Sequence, residues 1–389
     1  PPLSTHHNKG VLMKILIYTA SAGNGHNSAA NRIKETFTNN NDGNEVIIID
    51  GFKKYNSRLK NWIQTKGYLW ICNHGVKVYN YFFKKNETTD FSREEKNSVH
   101  RIVKSMKKGM HKDILEIKPD LIISTYIYCS VALSDLKKEK NLNVKTASLM
   151  LDYGISPFWE CIAKNTDYMF LTNEEYVHPF IERGFKKENL FPTGIPVSNT
   201  FSNLPCKEDA CKQLNLDPSM FTLTIMKAGF FGIKEKDIIK NLSKVTTPIQ
   251  VVIINGKAKK SQLKIDKLLS KYKLNHKIYN IGFTKEIPLY FASSDLVLGK
   301  AGGLTTTEAL TSCLPSLIID NLPQQEIYNK EYMINHNCAL GVTKNNISLV
   351  LNDLINNPTK LESMKDSCKQ LRITYSTEKM CEVLIKKSK

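Results

Sequence analysis

Two glycine-rich turns, far apart in the chain, carry the residue types that chemistry on a phosphate ester needs. The first, Ala22-Gly23-Asn24-Gly25-His26, follows the apolar run from Met13 to Tyr18 and leads into a helical pattern. The second, Lys300-Ala301-Gly302-Gly303-Leu304-Thr305-Thr306-Thr307-Glu308, follows Leu296-Val297-Leu298 and again opens a helix. A strand, a glycine turn and a helix start leave unsatisfied backbone N–H groups at a positive dipole end, which favours an anion. His26, with an ordinary pKa of about 6.5, is suited to take a proton at neutral pH. One turn offers a base and the other an anion cradle. The plainer alternative for His26 is a hydrogen-bonding group at a helix terminus. Asp152, just past an apolar run, reads either as an orienting partner for the base or as a turn or N-cap aspartate.

The elements that must position these turns alternate between strand and helix twice over. Strand patterns fall at residues 14–19, 46–50, 121–124, 146–151, 168–171 and 190–191, then at 222–226, 249–254, 277–281, 296–298 and 316–319. Helical patterns lie between them, including 27–38, 96–116 and 174–183. Such alternation predicts an α/β protein with two parallel, doubly wound, Rossmann-like sheets and ligands at the carboxyl ends of their strands. The stretch from Gly194-Ile195-Pro196-Val197 to Pro205 is rich in Pro, Asn and Ser and reads as a linker. The expected organisation is a tail at 1–12, domains at 13–200 and 201–370 facing a cleft, and a helix at 371–389 packing back on the first domain.

Composition narrows the class. A chain of 389 residues with 41% apolar content can build two cores. No apolar run approaches the roughly 20 residues of a membrane span, and no secretory pattern opens the chain, so a cytoplasmic protein is expected. Nine scattered cysteines without a C-x-x-C pair argue against a disulfide framework or a zinc site. Neither D-x-D nor a spaced His/Cys cluster appears, so no metal is expected. The net charge is +18, yet no helix-turn-helix, RNA-binding or zinc-module pattern accompanies it, which argues against nucleic acid. The charge concentrates instead. Between Asp50 and Glu87 no acidic residue occurs, while Lys53, Lys54, Arg58, Lys60, Lys66, Lys77, Lys84 and Lys85 are interleaved with aromatics that include Trp62 and Trp70. By composition this is either a face for an anionic membrane or a solvated helical face with its aromatics turned to the core.

Four motifs in order carry a family resemblance: Ala22 to Asn27, Gly194 to Val197, Lys300 to Glu308, and Pro323-Gln324-Gln325-Glu326 through Asn329. Together they resemble the monogalactosyldiacylglycerol synthases and processive diacylglycerol glucosyltransferases of glycosyltransferase family 28. The resemblance runs from about Met13 to the C-terminal helix. It implies the GT-B fold, a UDP-sugar donor (UDP-glucose or UDP-galactose) on the C-terminal domain, and a diacylglycerol-type lipid acceptor on the N-terminal domain. The sugar nucleotide is then a co-substrate, and no cofactor is implied. It also turns the basic aromatic stretch into a membrane-facing segment on the cytosolic face, with Gly25, Lys53, Lys54, Arg58, Trp62 and Trp70 on the acceptor and membrane side.

On the same resemblance, Gly302, Gly303, Leu304 and Thr305 lie against the diphosphate, and Glu308 takes the ribose hydroxyls. Gln324, Gln325 and Glu326 hold the donor hexose. Gly229 and Gly232 form a first phosphate-facing turn, and Phe283 with Thr284 meets the uracil. Departures fall on the acceptor side: Tyr126, and Ser156-Pro157-Phe158, stand where family members often have histidines. Lys227-Ala228 stands where glycines are common. The function expected is inverting transfer of a hexose to diacylglycerol or a glycosylated diacylglycerol at the membrane surface. Alternatives are a transferase acting on a peptidoglycan precursor or another acceptor, a nucleotide-sugar 2-epimerase, and a non-catalytic binding protein.

Overall fold

The structure, a computed structural model, describes residues 12–21, 25–39, 43–57, 62, 67, 70–71, 75–87, 98–227 and 233–387. Two six-stranded sheets dominate it, and every strand pairing in both is parallel. The first contains β1 (Lys14–Thr19), β2 (Glu45–Asp50), β3 (Leu121–Ser124), β4 (Lys145–Leu149), β5 (Tyr168–Phe170) and β6 (Leu190–Phe191), in the order β2-β1-β3-β4-β5-β6. The second contains β7 (Thr222–Met226), β8 (Gln250–Ile254), β9 (Lys277–Ile281), β10 (Leu296–Gly299), β11 (Ser316–Ile319) and β12 (Ala339–Val342), in the order β12-β11-β10-β7-β8-β9. Parallel strands need crossovers that cover both faces of a sheet, so their sequences are apolar without alternation. Ile15, Leu16, Ile17 and Tyr18 are accordingly all buried, as are Val251, Val252, Ile253 and Ile254.

Strand order decides where ligands can enter. Chain direction across the sheet reverses between β1 and β3 in the first sheet, and between β7 and β10 in the second. At such a point the flanking crossovers leave in opposite directions and open a crevice beyond the carboxyl ends. The residues after β1 include the first glycine turn, and those after β10 include the second.

Helices on both faces complete the layers. α1 (Gly25–Asn39) buries Ala29, Ala30, Ile33 and Phe37. α2 (Val76–Glu87) precedes α3 (Ser98–Ile117), whose Val99, Val103, Met106, Met110 and Ile114 recur at helical spacing and are buried. α4 (Ile127–Lys140) follows β3. In the second domain α5 (Gly303–Thr311) follows β10 and α6 (Gln324–Asn335) follows β11. The last helix, α7 (Ser376–Lys387), packs along α1 and ends where Tyr168 donates its hydroxyl to the Lys387 carbonyl at 3.1 Å. Its first turn also grips the linker: Ser376 Oγ donates to the Ile195 carbonyl at 2.7 Å and Thr377 Oγ1 to that of Val197 at 3.0 Å. Gly194, at φ +91°, makes the turn into that linker in a region that disfavours any other residue.

Two strand expectations shift by more than one residue. β12 was not anticipated, because its four residues include Gly341 and glycine weakens a strand pattern. β4 stops at Leu149 rather than 151; the Met150 N–H still donates to the Phe170 carbonyl at 2.9 Å, and Leu151 and Asp152 then lie against Gly303 of the second domain. Among the described residues, no helix is long and apolar enough to cross a membrane.

Candidate functional site in the interdomain cleft

The two crevices face one another, and the glycine turns bring them into contact. Leu304, in the first turn of α5, lies 3.5 Å from where a Cβ on Gly25 would stand. Gly303 is glycine for a related reason: a Cβ there would lie 1.9 Å from the Leu151 carbonyl oxygen and 3.0 Å from Asp152 Oδ1. The close approach it permits is therefore to the backbone of the other domain. Gly302 opens the opposite way, with Lys300 Nζ and Glu326 Oε1 each 3.8 Å from its absent Cβ. No side chain caps α5, so its leading N–H groups remain available to an anion beside Gly302 to Thr305.

His26 sits at the N-terminus of α1, over the switch point of the first sheet. Its Nδ1 lies 2.7 Å from the Thr125 carbonyl, just past β3, and its ring meets the edge of Tyr126 at 4.7 Å between centroids. A carbonyl only accepts, so Nδ1 carries the proton and Nε2 the lone pair. Burial pushes the imidazole pKa down to about 4, against the opposing pull of the Thr125 carbonyl. The ring is thus a neutral acceptor at physiological pH, reached by desolvation rather than by the ordinary value the sequence suggested.

Asp152 is held at the domain boundary by a residue for which the sequence indicated no role. Asn329, fully buried on α6, donates from Nδ2 to Asp152 Oδ1 and to the Ala301 carbonyl, each at 2.8 Å, and accepts the Tyr153 N–H at 2.6 Å. Burial raises the Asp152 pKa to about 7; the Asn329 bond lowers it, Glu326 raises it and Lys300 lowers it. Asn329 is four positions from Gln325 on the same helical face, a spacing that could have singled it out.

Of the residues expected on the donor side, Glu326 lies beside Gly302. Lys300, a cation two positions before the glycines, pairs with Glu326 at 2.5 Å. Gln324 and Glu326 are buried, yet Gln324 Oε1, Glu326 Oε2 and Thr306 Oγ1 lack hydrogen-bond partners. Buried acceptors without donors are costly, and their concentration here suits a hydroxyl-rich ligand. Glu308, one turn into α5, has its pKa raised to about 7 by burial, opposed by Arg32 of the first domain. Gln325 accepts a hydrogen bond from the Tyr79 hydroxyl at 2.8 Å. Along the same carboxyl edge, Phe283 is 63% exposed with Lys257 Nζ 5.9 Å from its ring centroid, and Thr284 Oγ1 accepts the Glu286 N–H at 3.0 Å. Lys227, at the end of β7, is buried and paired with Glu235 at 3.6 Å. Gly229, Gly232 and Arg58 lie outside the described residues.

The basic aromatic stretch divides by side chain. The Lys53 N–H is capped by Asp50 Oδ1 at 2.9 Å while its side chain is exposed. Lys54 is committed to Asp113 at 2.5 Å. Trp62 and Trp70 are 55% and 62% exposed, as a surface-docking role needs, and Val78 and Tyr81 are exposed on α2. Tyr79 and Asn80 turn instead to the second domain, and Phe83 lies 6.5 Å from Tyr328 on α6. Among the described residues, no cluster of three His, Cys, Asp or Glu could hold a metal.

Two parallel Rossmann-like domains whose switch points meet across a cleft define the GT-B architecture. Solved structures share it: MurG of Acinetobacter baumannii covers 97% of this chain and 100% of its own at a TM-score of 0.62 and 13% identity. The UDP-GlcNAc 2-epimerase of Neisseria meningitidis covers 96% and 100% at a TM-score of 0.60 and 16% identity. Sequence resolves the family within that fold. Residues 26–197 match the family described as monogalactosyldiacylglycerol (MGDG) synthase, and residues 233–380 match the glycosyltransferase family 28 C-terminal domain. The processive diacylglycerol beta-glucosyltransferase of Staphylococcus saprophyticus is 31% identical over 382 residues, covering 96% of this chain and 92% of that protein. The chain belongs to glycosyltransferase family 28, in the branch with an MGDG-synthase N-terminal half.

Proposed function

We propose that this protein transfers a hexose from a UDP-sugar to diacylglycerol or a glycosylated diacylglycerol, with inversion, at a membrane surface. The observation that carries the reading is the meeting of the two crevices, with Gly25 beside His26 reaching Leu304 of the anion-binding turn. An acceptor hydroxyl entering from the first domain gives its proton to His26 Nε2 as its oxygen attacks the anomeric carbon. The bond from that carbon to the β-phosphate oxygen breaks, and UDP leaves with the electron pair. The α5 N-terminus and Lys300 meet the departing charge. Glu308 holds the ribose, and Gln324, Gln325 and Glu326 hold the hexose. Asp152, tied to Asn329, orients the base side of the cleft. Glucose is the hexose named for the full-length relative.

The acceptor arrives from the membrane through the exposed Trp62 and Trp70, with the basic residues that neighbour them in sequence. The deciding experiment measures UDP release from UDP-glucose, UDP-galactose and UDP-N-acetylglucosamine, with and without diacylglycerol in anionic vesicles, followed by product analysis. Diacylglycerol-dependent release with a glycolipid product supports the reading. Release that ignores the lipid, or conversion of UDP-N-acetylglucosamine to its 2-epimer, rules it out.

A further inference from the structure

The hydrogen bond between Tyr79 and Gln325 joins a helix of the first domain to the first turn of a helix in the second. It is one of several contacts by which the first domain grips the start of α6. Asn80 Nδ2 donates to the Leu322 carbonyl at 3.0 Å, fixing the loop between β11 and α6. Phe83 rests on Tyr328, and the Tyr328 side chain fills the place where a Cβ on Gly154 would stand, 2.5 Å away. The Tyr79 hydroxyl donates to Gln325 Oε1, so the amide oxygen is turned towards α2 and its NH₂ end faces the other way. One residue on, Glu326 is fixed by Lys300, whereas Gln325 takes this anchor from outside its own domain.

We infer that Tyr79 is a positioning residue for hexose recognition: its hydroxyl sets the orientation of the Gln325 amide, so a first-domain helix tunes which sugar the second domain accepts. This rests on the reading of Gln325 as a hexose contact. The same helix exposes Val78 and Tyr81 on its other side, so the anchor lies on the element between the lipid-facing surface and the sugar pocket.

Tyr79→Phe keeps the ring and removes only the hydroxyl. The full chain carrying Y79F, Q325A or both is assayed with UDP-glucose and UDP-galactose on phosphatidylglycerol vesicles containing diacylglycerol, and UDP affinity is measured by calorimetry. Y79F is expected to raise the KM for the preferred UDP-hexose about 3- to 10-fold, the range of one neutral hydrogen bond. It is expected to narrow the ratio of kcat/KM between the two hexoses and to leave UDP affinity within about twofold, since UDP lacks the sugar. In the Q325A background Y79F is expected to add nothing to the hexose effect, because the inferred route runs through Gln325. An unchanged hexose ratio, an equal loss of UDP affinity, or multiplying effects in the double variant would overturn the inference while leaving the transferase reading intact. Absence of turnover by the unsubstituted chain would overturn both.

Discussion

Asn329 Nδ2 and Asp152 Oδ1 meet at 2.8 Å across the domain boundary, and the same amide reaches the Ala301 carbonyl beside the anion cradle. The carboxyl of Asp152 is therefore positioned by the second domain although its sequence belongs to the first. Burial lifts its pKa from an ordinary 3.8 to about 7. A carboxyl whose folded pKa lies above its unfolded one contributes stability that is full below the unfolded value and lost as pH rises through the folded one. Asp152→Asn keeps an acceptor for Asn329 and removes this penalty. It should raise Tm by a few degrees at pH 8 and change it little at pH 3.5. Equal shifts at both pH values would contradict the assignment.

Loss of the base should separate chemistry from donor binding. His26→Ala is expected to lower kcat by about 10²–10⁴-fold, the contribution of a positioned general base. UDP affinity by calorimetry should stay within about twofold. Because burial holds the imidazole near 4, the acidic limb of kcat/KM attributable to His26 falls near pH 4 and not near 6.5. A limb at 6.5 that vanishes in His26→Ala would show a solvated ring instead.

Glu308 gives the reciprocal result. Glu308→Ala should weaken UDP binding by about 10- to 100-fold, from the loss of a charge-assisted hydrogen bond of about 1.5–3 kcal/mol. Its carboxyl titrates near 7, so wild-type affinity should rise as pH increases from 6 to 8. Glu308→Gln should flatten that part of the profile.

The exposed tryptophans predict charge-assisted membrane docking. Trp62→Ser with Trp70→Ser should reduce co-sedimentation with anionic vesicles and lipid glycosylation together, leaving UDP affinity unchanged. Wild-type binding should fall as salt rises, because the Debye length is only about 8 Å at physiological ionic strength. Lys54→Ser is expected to act differently from Lys53→Ser, since Lys54 is paired with Asp113 and its loss removes the cation from a buried carboxylate that keeps the Tyr55 hydroxyl. Binding to neutral vesicles equal to that on anionic ones would remove the electrostatic role.

Charge on the leaving diphosphate is predicted to be met without a metal. The capless α5 N-terminus and Lys300 are expected to supply that compensation, so activity should survive excess chelator. Restoration of lost activity by Mg²⁺ or Mn²⁺ would point to a cation in the transition state.

Much of this protein is determined by local sequence. Apolar runs such as Ile15 to Tyr18 bury on both sides of a parallel sheet, and glycines after β1 and β10 mark turns that leave N–H groups open, so strands, turns and family were legible without coordinates. His26 could be singled out because it closes a glycine turn, and Glu308 because the family resemblance assigns a role to its position one turn into the following helix. What tertiary structure alone decided is which groups meet across the domain boundary. Gly303 against Leu151, Asn329 against Asp152 and Tyr79 against Gln325 join residues more than 150 positions apart, and no local period encodes such partners. Protonation was equally hidden. The imidazole of His26 and the carboxyls of Asp152 and Glu308 depart from their ordinary values chiefly through desolvation, which depends on the packing around each group and not on its neighbours in sequence.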